Sequence, residues 1–421
     1  MGDSTERKSL YEIKFGKRPL YVLAAAVLGA IVGALVGESI GVLAPLGQIF
    51  IRLLKFIVGP LILVSIAHAL TTMEDFKRLG KVFGYFLIYW AIFGVIASTI
   101  GYITATIMKP GAGVDLPEKT AQIAGTSFKD IILSFFPNNA VTPLLEMQML
   151  QLIVIAILVG IGIALLSTKD QNRKATDFLR SLIESSLVLI YKIVDMVLWY
   201  APIGVFFLIA NLVGTTGAQA LQSVLKMVVT QWIAYVIILV VLHPLIMILL
   251  VKVTPFAYWR KMAPAMITGF AIQSSSGTLP VTLSSAKKLG VSEDSAEVIL
   301  PIAATINMQA VAAEMPIYVV WVAQMYGLEL TPLSIVIAIF LGVFGAAACA
   351  GVPGGGILIA TITLTTLGMP LTAVGWIAGI YVFIDVLNTM TNVTSDPLGV
   401  MVVNKWLGEF SKEKYYAKEQ S

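Results

Sequence analysis

Gln273-Ser274-Ser275-Ser276-Gly277-Thr278 lies at the centre of a charge-free stretch that runs from Met262 to Ala286. A basic segment precedes that stretch (Lys252, Arg260, Lys261), and a charged segment from Lys287 to Glu297 follows it. Both ends therefore belong on the same side of a membrane. A run with a polar, small-residue centre and both ends on one side reads as a re-entrant hairpin, not a span. A second such tip follows at Gly345-Ala346-Ala347-Ala348-Cys349-Ala350-Gly351-Val352-Pro353-Gly354-Gly355-Gly356. It sits within Leu330 to Ile384, a charge-free length that one helix cannot use. Glycine and proline make that centre a poor helix and a good hairpin tip.

Each hairpin is followed by a helix with an asparagine in mid-span. Thr305-Ile306-Asn307 marks the first copy, within Val298 to Gly327, and Thr391-Asn392 marks the second. A repeat with interrupted segments at matching places points to a secondary transporter with its site at the midplane. Freed carbonyls there can hold a cation, and freed N–H groups at a hairpin tip can hold a carboxylate.

The rest of the chain agrees with a membrane setting. Hydrophobic residues make up 58% of 421 residues and charged residues only 12%. A soluble domain carries about 25% charged residues, so soluble and disordered classes are excluded. One cysteine, Cys349, leaves no disulfide framework, and two histidines leave no zinc cluster. A net charge of +4 fits basic cytoplasmic loops and gives no reason to expect a nucleic-acid partner.

Six apolar runs long enough to cross a bilayer precede the hairpins: Tyr21–Gly37, Phe56–Met73, Val82–Met108, Met147–Thr168, Met196–Leu225 and Met227–Val251. The fifth is expected to start earlier, near Ser181. The N-terminal segment and the second, fourth and sixth connections are basic. The first and fifth carry no Lys or Arg, and the third mixes Lys109, Lys119 and Lys129 with Asp115 and Glu118. This alternation places both termini in the cytoplasm. No cleavable leader is read before the first helix, and a prokaryotic inner membrane is the expected location.

Four stretches carry a family resemblance: Ser274-Ser275-Ser276-Gly277-Thr278-Leu279-Pro280, Thr305-Ile306-Asn307-Met308, Ala350-Gly351-Val352-Pro353-Gly354, and Asp385 through Asn392-Val393-Thr394-Ser395-Asp396. Arg52-Leu53-Leu54-Lys55 and Pro110-Gly111-Ala112-Gly113 fit as well. The chain resembles the dicarboxylate/amino acid:cation symporter family, the glutamate transporter homologues, over nearly its whole length. The resemblance implies an all-α polytopic membrane protein with eight transmembrane helices and two re-entrant helical hairpins. It also implies a homotrimer and an elevator movement. Residues 1–255 would then form mainly the scaffold, with helices 3 and 6 moving with the transport core at 256–410. Residues 411–421 would be a cytoplasmic tail.

The resemblance implies roles for individual residues too. Asp385 would face a substrate ammonium. Asn392 would hold the substrate carboxylate together with Ser275 and N–H groups of the first tip. Gln273, Ser276, Val311, Val352, Gly356, Asn388 and Thr389 would complete the pocket. A sodium site would use Asp396 and carbonyls of Ala303, Asn307 and Asn392. A second would use carbonyls near Thr305 and at Ala346, Ala347 and Cys349. Asp396 lies four residues after Asn392, on the same helix face.

Three positions depart from the acidic-substrate pattern. Asn388 stands where those members hold a carboxylate-binding arginine, Gln273 where some archaeal members have an arginine, and Val311 where a threonine assists. All three remove charge or a hydroxyl, and an acidic side chain buried beside them is poorly paired. The expected substrate is therefore a neutral L-amino acid of small or medium size. An acidic amino acid or dicarboxylate is the alternative. Asn307-Met308-Gln309-Ala310-Val311 lacks an aspartate that helps to form a third sodium site, and Phe93 and Gly94 replace hydroxyl residues nearby. Fewer than three sodium ions per cycle are expected. Glu314 adds a carboxyl to the seventh helix. A desolvated Glu can titrate near neutral pH, so a co-transported proton is a further expectation.

Other residues read as structural. Lys192 and Asp195 can pair along one helix. Trp199, Tyr200, Tyr258 and Trp259 read as interfacial anchors, His68 and His243 as helix-end residues, and Glu409 to Gln420 as a solvated tail. Ser274 to Ser276 could supply a nucleophile, but neither histidine lies in the re-entrant half to serve as its base, so an enzyme is not expected. A channel is disfavoured by a substrate-sized site between two tips.

Overall fold

The computed structural model describes residues 18–71, 79–114, 136–146, 149–167, 170–216, 218–347, 349 and 354–417. Its elements are helical throughout the described residues. The first half contains α1 (Arg18–Val36), α2 (Ala44–Thr71), α3 (Leu79–Met108), α4 (Met149–Leu166) and α5 (Arg173–Thr216). Helix α6 begins at Ala218–Ile237 and continues through π-helical turns at Ile238–Leu242 and Met247–Val251 that flank His243–Ile246. Then come α7 (Pro255–Ile272), α8 (Ser275–Ala286), α9 (Glu293–Ile306), α10 (Gln309–Tyr326), α11 (Pro332–Ala346), α12 (Gly355–Thr366), α13 (Thr372–Leu407) and the short α14 (Lys412–Tyr416).

Five stretches are long and apolar enough to cross a membrane: Ala24–Leu53, Gly80–Met108, Leu221–Val251, Glu293–Tyr326 and Thr372–Leu407. A sixth is the bent pair Arg173–Val197 and Trp199–Thr215, at 46°. Pro202 explains the bend, since its ring clashes with the carbonyl four residues earlier. Large apolar side chains on α1 and α5 (Leu28, Leu35, Phe178, Leu189, Trp199) are exposed, as on a surface that meets hydrocarbon rather than water.

Several boundaries differ from the sequence reading. Helix α2 starts at Ala44, not near Phe56, and takes Arg52 into the helix. Helix α5 ends at Thr216 and α6 begins at Ala218, so the boundary between the fifth and sixth helices falls earlier than Leu225. His243 is not at a helix end: it is fully buried between the two π-helical turns. Tyr258 is no interfacial anchor. It is fully buried and donates its hydroxyl to the Thr394 carbonyl.

The expected hairpins correspond to the packed helix pairs α7–α8 and α11–α12. At the first tip Gln273 takes a left-handed conformation (φ 53), and Ser274 caps α8 by accepting a hydrogen bond from Gly277 N at 3.1 Å. At the second tip Gly354 (φ +78) opens α12, in the left-handed region that glycine enters without strain. Val352 lies outside the described residues. The helix after each hairpin behaves differently. After the first, the chain breaks at Asn307 and Met308, whose ψ values of 63 and 70 interrupt α9 from α10. After the second, α13 runs unbroken through Asn392.

Two apolar clusters support this frame. One gathers α2, α5, α6, α10 and α12 with the first half of α13. The other gathers α3, α7, α8, α9 and the second half of α13. Helix α10 is buried on nearly every side, so its polar residues face the protein interior.

The described part of the C-terminal segment keeps its charged residues Glu409, Lys412, Glu413 and Lys414 exposed, as expected, but is docked through its backbone and Tyr415. Tyr415 is fully buried and donates to Thr254 O at 2.6 Å. Lys261 Nζ donates to the carbonyls of Lys288 (2.7 Å), Tyr415 (2.6 Å) and Lys414 (3.2 Å). Gly290 (φ +78) must be glycine, because a Cβ there would meet Ser411 O and Tyr415 N.

Candidate functional site

Helix α13 presents Asp385, Asn388, Thr389, Asn392 and Asp396 at intervals that share one face. All five are buried. Asp385 Oδ1 accepts from Thr389 Oγ1 at 3.1 Å, and its Oδ2 accepts from Gly354 N at 3.3 Å. The second hairpin tip is thus tied to this carboxylate. Gln273 at the first tip donates to Val382 O on the same helix at 3.3 Å. Ser275 is buried with its hydroxyl 4.0 Å from Met308 Sδ, whereas Ser276 is exposed.

A second chain of hydrogen bonds crosses from α13 to α10 and α6. Asn392 Oδ1 accepts from Ala310 N at 2.8 Å. That satisfies an N–H that the break before α10 leaves without a helical partner. Asn392 Nδ2 donates to Asn388 Oδ1 at 2.7 Å, and Asn388 Nδ2 donates to Glu314 Oε1. Tyr235 on α6 donates to the same oxygen at 2.6 Å. Glu314 is fully buried and its Oε2 has no hydrogen-bond partner. A Cβ on Gly356 would meet Tyr381 Oη and lie 2.8 Å from Glu314 Oε2, so α12 approaches this oxygen with only a glycine between. Val311, buried on α10, adds no polar group.

The position expected to read the far end of a substrate therefore carries a carboxyl joined to Asn388, not a cation. Tyr235 and Tyr381 were not singled out by the sequence. Both lie inside apolar runs, and no spacing distinguishes them from packing residues.

Below this layer, Asn307 Nδ2 donates to Asp396 Oδ1 and to Ser395 Oγ, each at 2.9 Å. Ser395 Oγ donates to Asn392 O at 2.8 Å. Asn307 Oδ1 is buried without a partner. A carboxylate, an orphaned amide oxygen and backbone carbonyls are hard oxygen donors, which suit Na+ better than a transition metal. The Ala303 carbonyl already accepts from Asn307 N at 2.8 Å, which brings it to the same turn. The second expected cation set is less assembled. Ala346 O accepts from Cys349 N at 3.0 Å, and Thr305 Oγ1 bonds Pro301 O at 3.2 Å within α9. The nearest link is Trp90, which donates to Ile306 O at 2.9 Å and packs edge-on against Phe344 at 5.2 Å.

Gln309 shows what fills the place of the missing aspartate. Its Oε1 lies 3.0 Å from His243 Nε2, and its Nε2 donates to Tyr89 Oη at 3.3 Å. Tyr89 donates onward to Ser395 O at 3.2 Å and packs against Phe93 with tilted rings, centroids 4.9 Å apart. Gly94 leaves room for Val343. Apart from His243 Nδ1, the polar groups here are engaged with one another.

The chain matches the profile of the Sodium:dicarboxylate symporter family over residues 19–406. It is 27% identical over 397 residues to the "Proton/glutamate-aspartate symporter" of Escherichia coli (strain K12), covering 90% of this chain and 89% of the relative. It is 27% identical over 385 residues to the "Proton/sodium-glutamate symport protein" of Geobacillus stearothermophilus, covering 88% and 89%. It is 25% identical over 418 residues to the "C4-dicarboxylate transport protein 1" of Ralstonia nicotianae, covering 94% and 95%. None of these is an enzyme by name, and the family is one of secondary transporters. With the match spanning nearly all of its length, the chain belongs to the Sodium:dicarboxylate symporter family.

Proposed function

We propose that the protein is a cation-coupled symporter for a small carboxylate-bearing solute. The observation that carries this is the buried face of α13, which joins Asp385 and Asn392 between two hairpin tips to Asp396 and Asn307 one turn on. The relatives named above handle acidic amino acids and C4-dicarboxylates, which favours an acidic solute over the neutral amino acid expected from Asn388 and Val311. Asp385 offers a counter-charge for an ammonium, so an acidic amino acid fits better than a dicarboxylate.

Glu314 then decides how an acidic side chain is tolerated. Ionised, it repels a second carboxylate in a buried setting. Protonated at Oε2, it can donate to that carboxylate. Acidic solute and proton would enter together, with Na+ held at Asp396 and Asn307 and fewer than three sodium ions in all. The homotrimer, the elevator movement, the division at residue 255 and cytoplasmic termini in a bacterial inner membrane complete the reading, on the strength of the family pattern and the loop charges.

A neutral amino acid remains the second reading. It is favoured by the hydrogen bond from Asn388 to Glu314, which puts no cation at the far end of the pocket. Uptake into proteoliposomes separates the two. Labelled aspartate, succinate, alanine and serine are offered under a sodium gradient, a proton gradient, both or neither. Aspartate uptake that needs both gradients supports the proposal. Sodium-driven alanine or serine uptake, with aspartate excluded at every pH, replaces it with the second reading.

A further inference from the structure

Helices α6 and α10 share a polar seam that leads away from Glu314. On α6, Ser223, Gln231 and Tyr235 recur at helical spacing, and on α10 so do Glu314, Tyr318 and Trp321. The helices pack side by side so that the residues pair rung by rung. Tyr235 bonds Glu314 at 2.6 Å, Tyr318 lies within interaction range of Gln231 and Glu314, and Trp321 Nε1 donates to Ser223 Oγ at 2.8 Å. Ser223 in turn donates to Pro110 O at 2.8 Å. Pro110 follows the end of α3, which is the outer end in the orientation that the loop charges predict. Gly111 N, bonded to Gln324 Oε1 at 2.9 Å, closes the same end.

The two ends of the seam are satisfied, but its middle is not. Glu314 Oε2, Tyr318 Oη and both polar atoms of the Gln231 amide are buried and make no hydrogen bond of good geometry, although Tyr318 lies close enough to both neighbours to interact with them. All three residues are 0% exposed. Buried polar groups in proteins are nearly always paired, with ordered water where no protein group serves. An internal water needs two to four polar partners, and this middle rung supplies four such atoms side by side. An apolar helix contact would need none of them.

We infer that the α6–α10 seam holds a short file of internal water that connects Glu314 with the outer end of the protein and carries its proton. This rests on the reading of Glu314 as the proton-carrying group. Each water accepts a proton at its oxygen and releases one of its own to the next, and the last proton bonds Glu314 Oε2. Release runs the same steps in reverse, with no oxidation or reduction. The Trp321–Ser223–Pro110 bonds form the outer closure. The titratable groups facing Glu314 are Tyr235 from α6, Tyr318 from α10, and Asp385 and Tyr381 from α13; α12 contributes only the Gly356 backbone.

Hydrogen–deuterium exchange at the Glu314 carboxyl tests this without knowledge of the solute. The full-length protein in lipid is transferred into heavy water at several pH values. The infrared carbonyl band of a protonated carboxyl is followed in time and assigned by its loss in Glu314→Gln. Gln231→Leu and Tyr318→Phe are each expected to slow its exchange by about tenfold or more, the rate equivalent of one lost hydrogen bond in the path. Thr99→Val, which removes an exposed hydroxyl of α3, leaves the rate unchanged. An assigned band that exchanges at the wild-type rate in both seam variants overturns the water file and leaves the protonation of Glu314 standing. A wild-type protein with no such band at any pH overturns that protonation, and the seam's role with it.

Discussion

Replacing Glu314 by Gln isolates charge from shape. Both bonds that the structure gives this side chain, from Tyr235 and from Asn388, arrive at Oε1. That oxygen survives in Gln as an amide carbonyl, so the local network is kept. Only Oε2, which has no partner, becomes an NH2. The charge effect is large. Two unit charges about 5 Å apart at an effective dielectric constant of about 20 repel by about 3 kcal/mol. That is about a hundredfold in affinity. Wild-type affinity for aspartate should therefore fall about tenfold per pH unit as Glu314 loses its proton, until about a hundredfold has gone. The sign follows from the chemistry: protonation is favourable, so binding is tightest at low pH and takes up a proton. In Glu314→Gln the affinity should stay near the low-pH wild-type value throughout. Titration calorimetry in saturating sodium from pH 5 to 8 measures both curves, and proton uptake is read from two buffers of different ionisation enthalpy. A pH slope that survives unchanged in Glu314→Gln would refute the assignment.

Other consequences are as direct. Asp396→Asn should abolish the sodium dependence of solute binding, since it removes the one carboxylate beside Asn307; in the wild type a sodium titration should give a Hill coefficient below three. Gly356→Ala should stop uptake while the protein still folds, because a Cβ there meets Tyr381 and Glu314; wild-type uptake by this variant would show that α12 has slack. Tyr415→Ala should cost about 3–5 kcal/mol, the range for deleting a large buried ring, and Lys261→Ala about 1–3 kcal/mol, by leaving buried carbonyls unpaired. Both would appear as lowered melting temperature in detergent. Lys192→Ala should cost no more than about 1 kcal/mol, since the Lys192–Asp195 pair at 3.2 Å is exposed on the lysine side.

The legible part of the fold was the part written in long runs. Apolar length marked most of the helices, and clusters of small residues marked the two tips. Charge in an apolar run marked Asp385, Asp396 and Glu314, because a buried carboxyl is costly and stands out. The illegible part was tertiary. Asn307 and Asn392 look alike in sequence, yet only the first lies at a break. Asn392 instead stays helical and caps the freed N–H of Ala310 with its side chain. Tyr235 and His243 lie in an apolar run and Tyr258 beside Arg260 and Lys261, and such a ring does not reveal its role until its partner on another helix is known. The docking of the tail's backbone was missed for the same reason. Its charges suggested solvent, but the buried Lys261 takes its backbone carbonyls and Tyr415 fills the space behind them.

The arrangement also explains why solute and cation need not touch in order to be coupled. Asn392 belongs to both proposed sites. Its side chain bridges Ala310 and Asn388 at the proposed solute layer, and its carbonyl accepts from Ser395, which also receives Asn307. Asn307 in turn bonds Asp396. A cation that recruits the orphaned Asn307 Oδ1 must settle the orientation of that amide. It thereby settles Ser395 and the carbonyl of Asn392, and with it the side chain that meets the solute. Ordering one layer removes part of the entropy cost of ordering the other, which gives positive cooperativity without contact. The coupling must be reciprocal: whatever factor sodium contributes to solute affinity, solute contributes to sodium affinity. Ser395→Ala removes the bridging hydroxyl and leaves the hydrogen bonds of Asp385 and Asp396 in place. If the bridge carries the coupling, this variant binds solute and sodium separately but loses both enhancements together; losing one alone is thermodynamically forbidden, and keeping both would place the coupling in the hairpin tips instead.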